Sequence, residues 1–378
     1  MGEVAPVPLS QLTTLRTGGL PRRLIEVTTA DELVATLRQV WAEGDPWLVV
    51  GGGSNLFVGD EPFEGTVVRV RTRGIDELPG SRPDTVRVRV QAGHDWDAFV
   101  AETVERGYAG VEAMSGIPGT VGAAPVQNIG AYGQEVVQTL VEVELLDEAH
   151  GEVSTVSAAD LGLGFRTSVL KQHYGSVPER SAVIVSATFE LERVGPAPRP
   201  IAGEQLRAAL GLDAADAMSL RGIRDHVLAT RARKGMVLDA EDPDTWSAGS
   251  FFQNAIVSES FARTLPEACP KWPMTRAVDP VTVIPLAAFD GVLPPLPVER
   301  RDVKVSAAWL IENAGLRRGF RLPRSRAGLS TKHTLALTNR GEATAAELAE
   351  LARFVQQRVQ AEFGLILQPE PVLVNVEL

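Results

Sequence analysis

Residues 110–133 read GVEAMSGIPGTVGAAPVQNIGAYG, and the organisation of the chain turns on this stretch. Its 24 residues hold six glycines and two prolines, which forbid a regular helix or strand. Met114, Ile117, Val121, Val126 and Ile129 make it too apolar for a disordered linker. A long glycine-rich loop inside a packed domain is a candidate for function. A second cluster, Gly51-Gly52-Gly53-Ser54-Asn55, follows the apolar strand WLVV (Trp47 to Val50). Glycines let the backbone approach a ligand with no Cβ in the way, and successive free N–H groups can cradle an anion. The competing reading of a bare GGG is a flexible turn. The cluster is not a Walker loop, because GxxxxGK is absent, and not a dinucleotide fingerprint, because GxGxxG is absent. The strands around it do not read as a parallel βαβ series. Two loops suited to a diphosphate, separated by strands, suggest one large cofactor spanning both.

The chain has 378 residues, 44% of them apolar, with 37 basic and 48 acidic side chains and hence a net charge of −11. That length allows two or three domains and a core that needs no metal or disulfide staple. The acidic balance argues against a nucleic-acid partner, which demands a basic footprint. A small anionic ligand held by a few local cations is compatible with it. The lone Cys269 excludes an internal disulfide and every CxxC-type zinc site. The five histidines (His94, His150, His173, His226 and His333) form no HxH or HxxxH pair, so no metal site is expected. MGEVAPVPLSQL has neither a basic nor an apolar leader segment. No apolar run approaches the ~18 residues of a membrane helix. The expectation is a soluble cytoplasmic protein, monomeric and without membrane insertion.

Mixed strands and helices place the whole chain in the α+β class. DELVATLRQVWAEG (Asp31 to Gly44) has helical period, with Leu33, Leu37 and Val40 on one face. TVVRVRT and TVRVRVQAG alternate as half-buried strands do, and DWDAFVAETVERG (Asp95 to Gly107) reads as a second helix. Thr344 and Glu347 form a capping box before the stripe Leu348, Leu351, Val355, Val359 and Phe363, closed by Gly364. Strands are expected on either side of that helix, in HTLALTN and LILQPEPVLV. His226, in LRGIRDHVLATRARKG, is expected on a helix surface. Two proline-rich breaks, GPAPRP (Gly195 to Pro200) and VLPPLPV (Val292 to Val298), punctuate the chain. The first is a candidate domain boundary or an ordinary surface loop.

GGGSN after a strand, followed by GIPGTVGAAPVQNIGAYGQEV, resembles the UDP-N-acetylenolpyruvoylglucosamine reductase family. TTLRTGG, LGFRTSVLK, AGSFFQN, VSAAWLIENAG, STKHTLALTN and LQPEPVLV fall in that family's order and extend the likeness over nearly the whole chain. The resemblance implies a two-lobed FAD-binding domain of the vanillyl-alcohol-oxidase (PCMH) type, followed by an α+β substrate-binding domain. Applied here, the FAD domain takes residues 1–195, with lobes of about 1–75 and 76–195. The substrate domain with a lid-like insert takes 196–345, and a closing helix and strand take 346–378.

The resemblance also implies roles. Arg166 in GFRTS is the essential arginine, Ser250 in GSFF the proton donor and Glu370 in QPEP the essential glutamate. FAD, held without a covalent bond, falls to Gly51, Gly52, Gly53, Ser54 and Asn55 and to Ser115, Gly116, Ile117, Pro118, Gly119, Gly122 and Ala123. Tyr132, Arg231, Lys234, Asn254 and Lys304 fall to the nucleotide-sugar substrate. The implied reaction reduces an enolpyruvyl ether, hydride from the flavin adding at C3 and a proton from Ser250 at C2, with NADPH as electron donor. This chain departs from the family at three places. Phe165 replaces a tyrosine, Gln253 a lysine, and IAGEQL (Ile201 to Leu206) has no lid tyrosine.

Without the family these three residues read plainly. Arg166 is an arginine snorkelling beside Phe165, Val169 and Leu170, and Ser250 a turn serine. The alternation Ile366, Gln368, Glu370 puts Glu370 on the polar face of a strand. Two rival functions remain. A flavin oxidase of a small hydroxy compound on the same scaffold would use O2 and ignore NADPH. A non-catalytic nucleotide-sugar or flavin-binding protein would keep the glycine loops without needing Arg166, Ser250 and Glu370 together.

Overall fold

The computed structural model describes residues 2–171, 179–213, 215–274 and 302–378. His173 and the break from Val292 to Val298 lie outside them. Strands β1 (Gly2–Val4) and β2 (Pro21–Val27) lead into helix α1 (Ala30–Glu43). Thr29 caps α1: its hydroxyl accepts from the Glu32 N–H while the Glu32 carboxylate takes the Thr29 N–H. Leu33, Leu37 and Val40 are buried, and Gly44 ends the helix in the left-handed region with φ 72°. Strands β3 (Trp47–Val50), β4 (Leu56–Val58) and β5 (Phe63–Val70) follow. The first sheet has the order β1-β2-β5-β3, and both β2 and β3 run parallel to β5. This corrects the expectation for the strands around GGGSN: β2, α1 and β3 are a strand–helix–strand unit in one sheet. Arg22, Arg23 and Glu26 give β2 a polar look, although Leu24, Ile25 and Val27 are buried.

The second sheet is antiparallel. It takes β6 (Ile75–Pro79), β7 (Thr85–Gln91) and the strands Leu140–Asp147, Val153–Ser157 and Ala182–Arg193, with Tyr108–Ala109 pairing at one end. Helix α2 (Trp96–Glu105) starts at Asp95, whose side chain accepts from the Ala98 N–H. Trp96, Phe99 and Phe189 meet at ring separations of 5.1 to 5.9 Å in the core between α2 and the sheet. Helices α3 (Glu204–Leu210) and α4 (Leu220–Arg233) follow the first proline-rich break. Ile201, Leu206, Leu220, Ile223 and Val227 nevertheless bury in the same core as Trp96. His226 is exposed on α4, as expected.

A second core gathers Phe251, Phe252, Leu310, Leu348, Val355 and Leu367. It lies among the short helices α5 (Glu259–Ala262) and α6 (Ala307–Asn313), the long helix α7 (Ala345–Phe363) and a three-stranded antiparallel sheet. Phe57 of β4 belongs to this core and packs edge-on against Phe251 at 5.6 Å. The strands flanking α7 are shorter than the sequence suggests. In HTLALTN only Leu337–Asn339 is strand, because the Ala336 N–H turns back to the His333 carbonyl and the Leu335 N–H to the His333 ring. In LILQPEPVLV only Val372–Val374 is strand, pairing parallel with β4. Pro369 and Pro371 have no N–H to give a ladder. Among the described residues no helix is long and apolar enough to cross a membrane.

Helix α7 provides a stability test. Thr344 and Glu347 cap one another across its first turn, and the Asp60 carboxylate accepts from the Ala345 N–H at 2.7 Å. Thr344→Ala removes one acceptor and is expected to cost about 1 kcal/mol. The check is a lowered urea midpoint at unchanged flavin content.

Candidate active site

The two glycine loops touch. A Cβ on Gly52 would lie 2.7 Å from the Gly119 Cα, and one on Gly53 would lie 1.9 Å from the Leu12 carbonyl oxygen. Gly53 also has φ +60°, and Gly119 φ +130°. The Ser54 hydroxyl donates to the Pro118 carbonyl at 2.8 Å and locks one loop to the other. Among the described residues the backbone N–H groups of Gly52, Gly53 and Ser54 have no protein acceptor. That is the makeup of an anion cradle, with no side chain in the way. The loops floor a cleft of about 500 Å³, which Gly51, Asn55, Ile117, Gly122 and Ala123 also line. Ser115 stands apart: it is fully buried and its hydroxyl donates to the Glu112 carbonyl at 2.6 Å. The Gly116 N–H is spent on Asp97 at 2.6 Å.

Arg166, Ser250 and Glu370 all line this cleft, although 204 residues separate the first from the last. Arg166 adopts the left-handed region, φ 56°. Its guanidinium donates to the carbonyls of Asn128 and Gly130, each at 3.4 Å, and its Nε lies 3.2 Å from the Glu370 carboxylate. Glu370 is only 9% exposed. The outward reading from alternation is therefore corrected, as is the snorkelling reading of Arg166. Ser250 follows Gly249 (φ 70°) and is half-buried, with no protein partner for its hydroxyl among the described residues. Antiparallel pairing brings it to Glu370: the Glu370 N–H donates to the Phe251 carbonyl at 2.8 Å and the Gln253 N–H to Gln368 at 3.0 Å.

The residues assigned to substrate divide. Arg231 lines the cleft, is 8% exposed, and donates to the Met236 carbonyl at 2.9 Å, while its Nε has no partner among the described residues. Tyr132 sits in the left-handed region (φ 53°) with the Lys234 ammonium 5.8 Å from its ring centre, and burial raises its hydroxyl above the usual range. Lys304 lies 4.8 Å from the Phe165 ring, beside Arg166. Asn254 is occupied elsewhere: its Oδ1 accepts from the Ala307 N–H at 3.0 Å, at the start of α6. Gln253 is buried, and its amide nitrogen has no partner among the described residues. Gln205, in the segment without a tyrosine, comes within reach of Gly133 beside Tyr132.

One lining residue had no role in the sequence reading. Lys171 closes the motif LGFRTSVLK and is 5% exposed. Its ammonium donates to Gln127 Oε1 and to the Glu370 carbonyl, both at 2.6 Å. Burial pushes it down to about 8, Glu370 opposing that shift and Arg166 adding to it. The charged residues lining the cleft are thus Arg166, Lys171 and Arg231 against Glu370. A positive cleft in a chain of net charge −11 suits phosphates and carboxylates.

Residues 21–157 match the family described as FAD binding domain, and residues 241–374 match the UDP-N-acetylenolpyruvoylglucosamine reductase C-terminal domain. A protein of Leifsonia xyli named UDP-N-acetylenolpyruvoylglucosamine reductase is 52% identical, over 99% of each chain. The chain belongs to the UDP-N-acetylenolpyruvoylglucosamine reductase family. A reductase of the same name from Thermobifida fusca is 47% identical over 98% of each chain. The solved UDP-N-acetylenolpyruvylglucosamine reductase of Thermus caldophilus shares 25% identity and a TM-score of 0.60, over 98% of both chains. The fold therefore has the two domains that the resemblance implied: a PCMH-type FAD domain and the reductase C-terminal domain. Members of this family are FAD-dependent oxidoreductases of peptidoglycan precursor synthesis, and FAD is the cofactor of this chain too. The paired glycine loops fit that group, since their free N–H groups face a cleft that no Cβ narrows.

Gly53→Val tests the cradle. A branched side chain meets the Leu12 carbonyl and resists the positive φ, so the purified variant is expected to carry little flavin. Full flavin absorbance per mole of protein would reduce GGGSN to a turn.

Proposed function

We propose that the protein catalyses the NADPH-dependent reduction of UDP-N-acetylglucosamine enolpyruvate to UDP-N-acetylmuramate. Arg166, Ser250 and Glu370 are its catalytic residues in this reading. The observation that carries it is their convergence on one cleft, floored by the two loops, with Arg166 and Glu370 paired at 3.2 Å. FAD held on the loops of residues 51–55 and 117–123 and reduced by NADPH would supply the hydride that C3 of the enolpyruvyl group takes up. Negative charge then develops at C2 and spreads into the substrate carboxylate. Arg166 is the cation that holds that charge where it appears, the largest single catalytic effect in most enzymes. Glu370 orients Arg166 and polarises the opposite side. Ser250 delivers the proton to C2. Its hydroxyl is a weak acid, but the carbanion is a strong base, and no protein acceptor competes for the proton among the described residues.

Except for Ser115, which is buried with its hydroxyl engaged, and the Gly116 N–H, which Asp97 holds, the FAD contacts named from the family remain within this proposal. The same holds for a diphosphate contact from Arg231, with Tyr132, Lys234 and Lys304 along the nucleotide sugar and Asn254 more remote. FAD held without a covalent bond belongs to the same proposal. The division into 1–195, 196–345 and 346–378 is kept as the working description, with Ile201 to Val227 packed back on the first core. A monomer is part of the same proposal, and so is a cytoplasmic location, since NADPH and nucleotide sugars are cytoplasmic metabolites.

Arg166→Ala and Glu370→Ala are each expected to lower kcat on the order of 10²- to 10³-fold with a much smaller change in KM, because both act on charge present only in the transition state. A change mainly in KM would reassign the residue to binding. Ser250 is separable by half-reaction. Ser250→Ala is expected to leave flavin bleaching by NADPH near the wild-type rate and to slow reoxidation by the enolpyruvyl substrate on the order of 10²- to 10⁴-fold. Ser250→Cys restores some of that loss, having kept a donor. Stopped-flow absorbance reads both halves, and an unslowed oxidative half moves proton delivery to Glu370 through water.

A further inference from the structure

Four segments of the chain meet at the main chain of Glu370. Its carbonyl accepts from the Lys171 ammonium at 2.6 Å and from the Asn55 amide at 3.5 Å, while its N–H donates to Phe251 at 2.8 Å. Lys171 also donates to Gln127 Oε1 at 2.6 Å, and the same oxygen accepts from Asn55 at 2.5 Å. Asn55 and Gln127 come from the two glycine loops, Lys171 from the Arg166 segment and Glu370 from the C-terminal segment. Among the described residues both acceptors of Lys171 are neutral carbonyls, and no carboxylate touches its ammonium. A buried ammonium with no carboxylate in direct contact is costly, and an apolar side chain of similar length would fill the space without that cost. The ammonium is therefore placed where packing alone does not call for it.

We propose that Lys171 is a positioning residue for catalysis: it fixes the Glu370 main chain against the cofactor loops and so sets the carboxylate against Arg166. Among the described residues the carboxylate itself is held by the 3.2 Å contact with Arg166 Nε. With the Glu370 carbonyl tethered, the carboxylate pivots about a fixed backbone. Without the tether, only the weaker Asn55 bond restrains that carbonyl from the cofactor side. The charge of Lys171 also attracts the Glu370 carboxylate, which is why Glu370 partly restores the lysine against the effect of burial.

This inference rests on the catalytic role proposed for Glu370, and a double-mutant cycle separates the two. Lys171→Met is expected to lower kcat at least tenfold, with KM for the enolpyruvyl substrate and the Kd of the apoprotein for FAD each within threefold of wild type. In a Glu370→Ala background the same substitution is expected to slow turnover by less than twofold, because no carboxylate remains to be placed. A full tenfold loss in that background overturns the proposal, as does unchanged kcat in the single variant. A fall in FAD affinity that accounts for the lost rate also overturns it, assigning Lys171 to Gln127 and the cofactor loop instead. If Lys171→Met yields no folded protein, Lys171→Gln carries the same cycle, with the same outcomes deciding. Should Glu370→Ala alone turn over normally, the catalytic reading of Glu370 fails. A slow Glu370→Ala beside a normal Lys171→Met removes only the positioning role.

Discussion

The short pairing of Phe251–Gln253 with Gln368–Glu370 is the contact on which the site depends. It joins segments more than a hundred residues apart and is only a few hydrogen bonds long. One strand turn further on, the Val372 N–H donates to the Asn55 carbonyl, and Val372–Val374 runs parallel to β4. The C-terminal segment therefore binds the Ser250 segment by its first half and the GGGSN loop by its second. Ser250, the Glu370 carboxylate and the glycine-loop cradle are held by one piece of chain. Closing so long a loop costs entropy that grows only slowly with length, and the Phe57–Phe251–Phe252 cluster beneath the pairing supplies apolar burial to offset it. Phe57 sits in β4 and Phe251 beside Ser250, so this cluster packs the serine's segment against β4.

The electrostatics follow from that closure. A carboxylate of 9% exposure is tolerable only when cations face it, and here Arg166 does so directly while Lys171 does so from behind. The reverse also holds: Arg166, Lys171 and Arg231 share one cleft, and Glu370 is the acid set among them. An anionic ligand entering this cleft completes a charge balance that the protein alone leaves positive. One arrangement of charges therefore both attracts an anionic ligand and holds Glu370 against Arg166.

What is legible in the sequence divides along physical lines. The glycine loops are legible because only glycine tolerates a Cβ position 1.9 Å from a carbonyl oxygen or 2.7 Å from another Cα, and such residues stand out in any sequence. α1, α2 and α7 are legible because each carries a cap, a buried stripe and, for α1 and α7, a closing glycine. Glu370 is not legible from pattern. Alternation holds for regular strands, and at Pro369 the segment makes an isolated bridge to Phe252 in place of a ladder. Lys171 gives no signal, since a lysine after Ser-Val-Leu reads as an edge residue, and its burial is created by Gln127 and Glu370 from far along the chain. The family resemblance locates Arg166 and Ser250 where composition and spacing cannot. For Asn254 the structure shows its Oδ1 engaged at the start of α6.

Three side chains at the site, Asn128, Tyr132 and Arg166, occupy the left-handed region with φ of 45°, 53° and 56°. For residues other than glycine such a conformation costs of order 1 kcal/mol or more, and it persists only when the surroundings over-determine it. Asn128 shows how that is done. Its amide donates to Glu135 at 3.0 Å and to the Gly164 carbonyl at 3.1 Å, and its Oδ1 accepts from the Val137 N–H at 2.9 Å. That asparagine also presents its carbonyl to Arg166, so one strained residue holds the next. Glycine at Arg166 would relieve the backbone and abolish the guanidinium together. The chain keeps the strain because the side chain, aimed from a turn that a relaxed residue would not make, is what meets Glu370 at 3.2 Å.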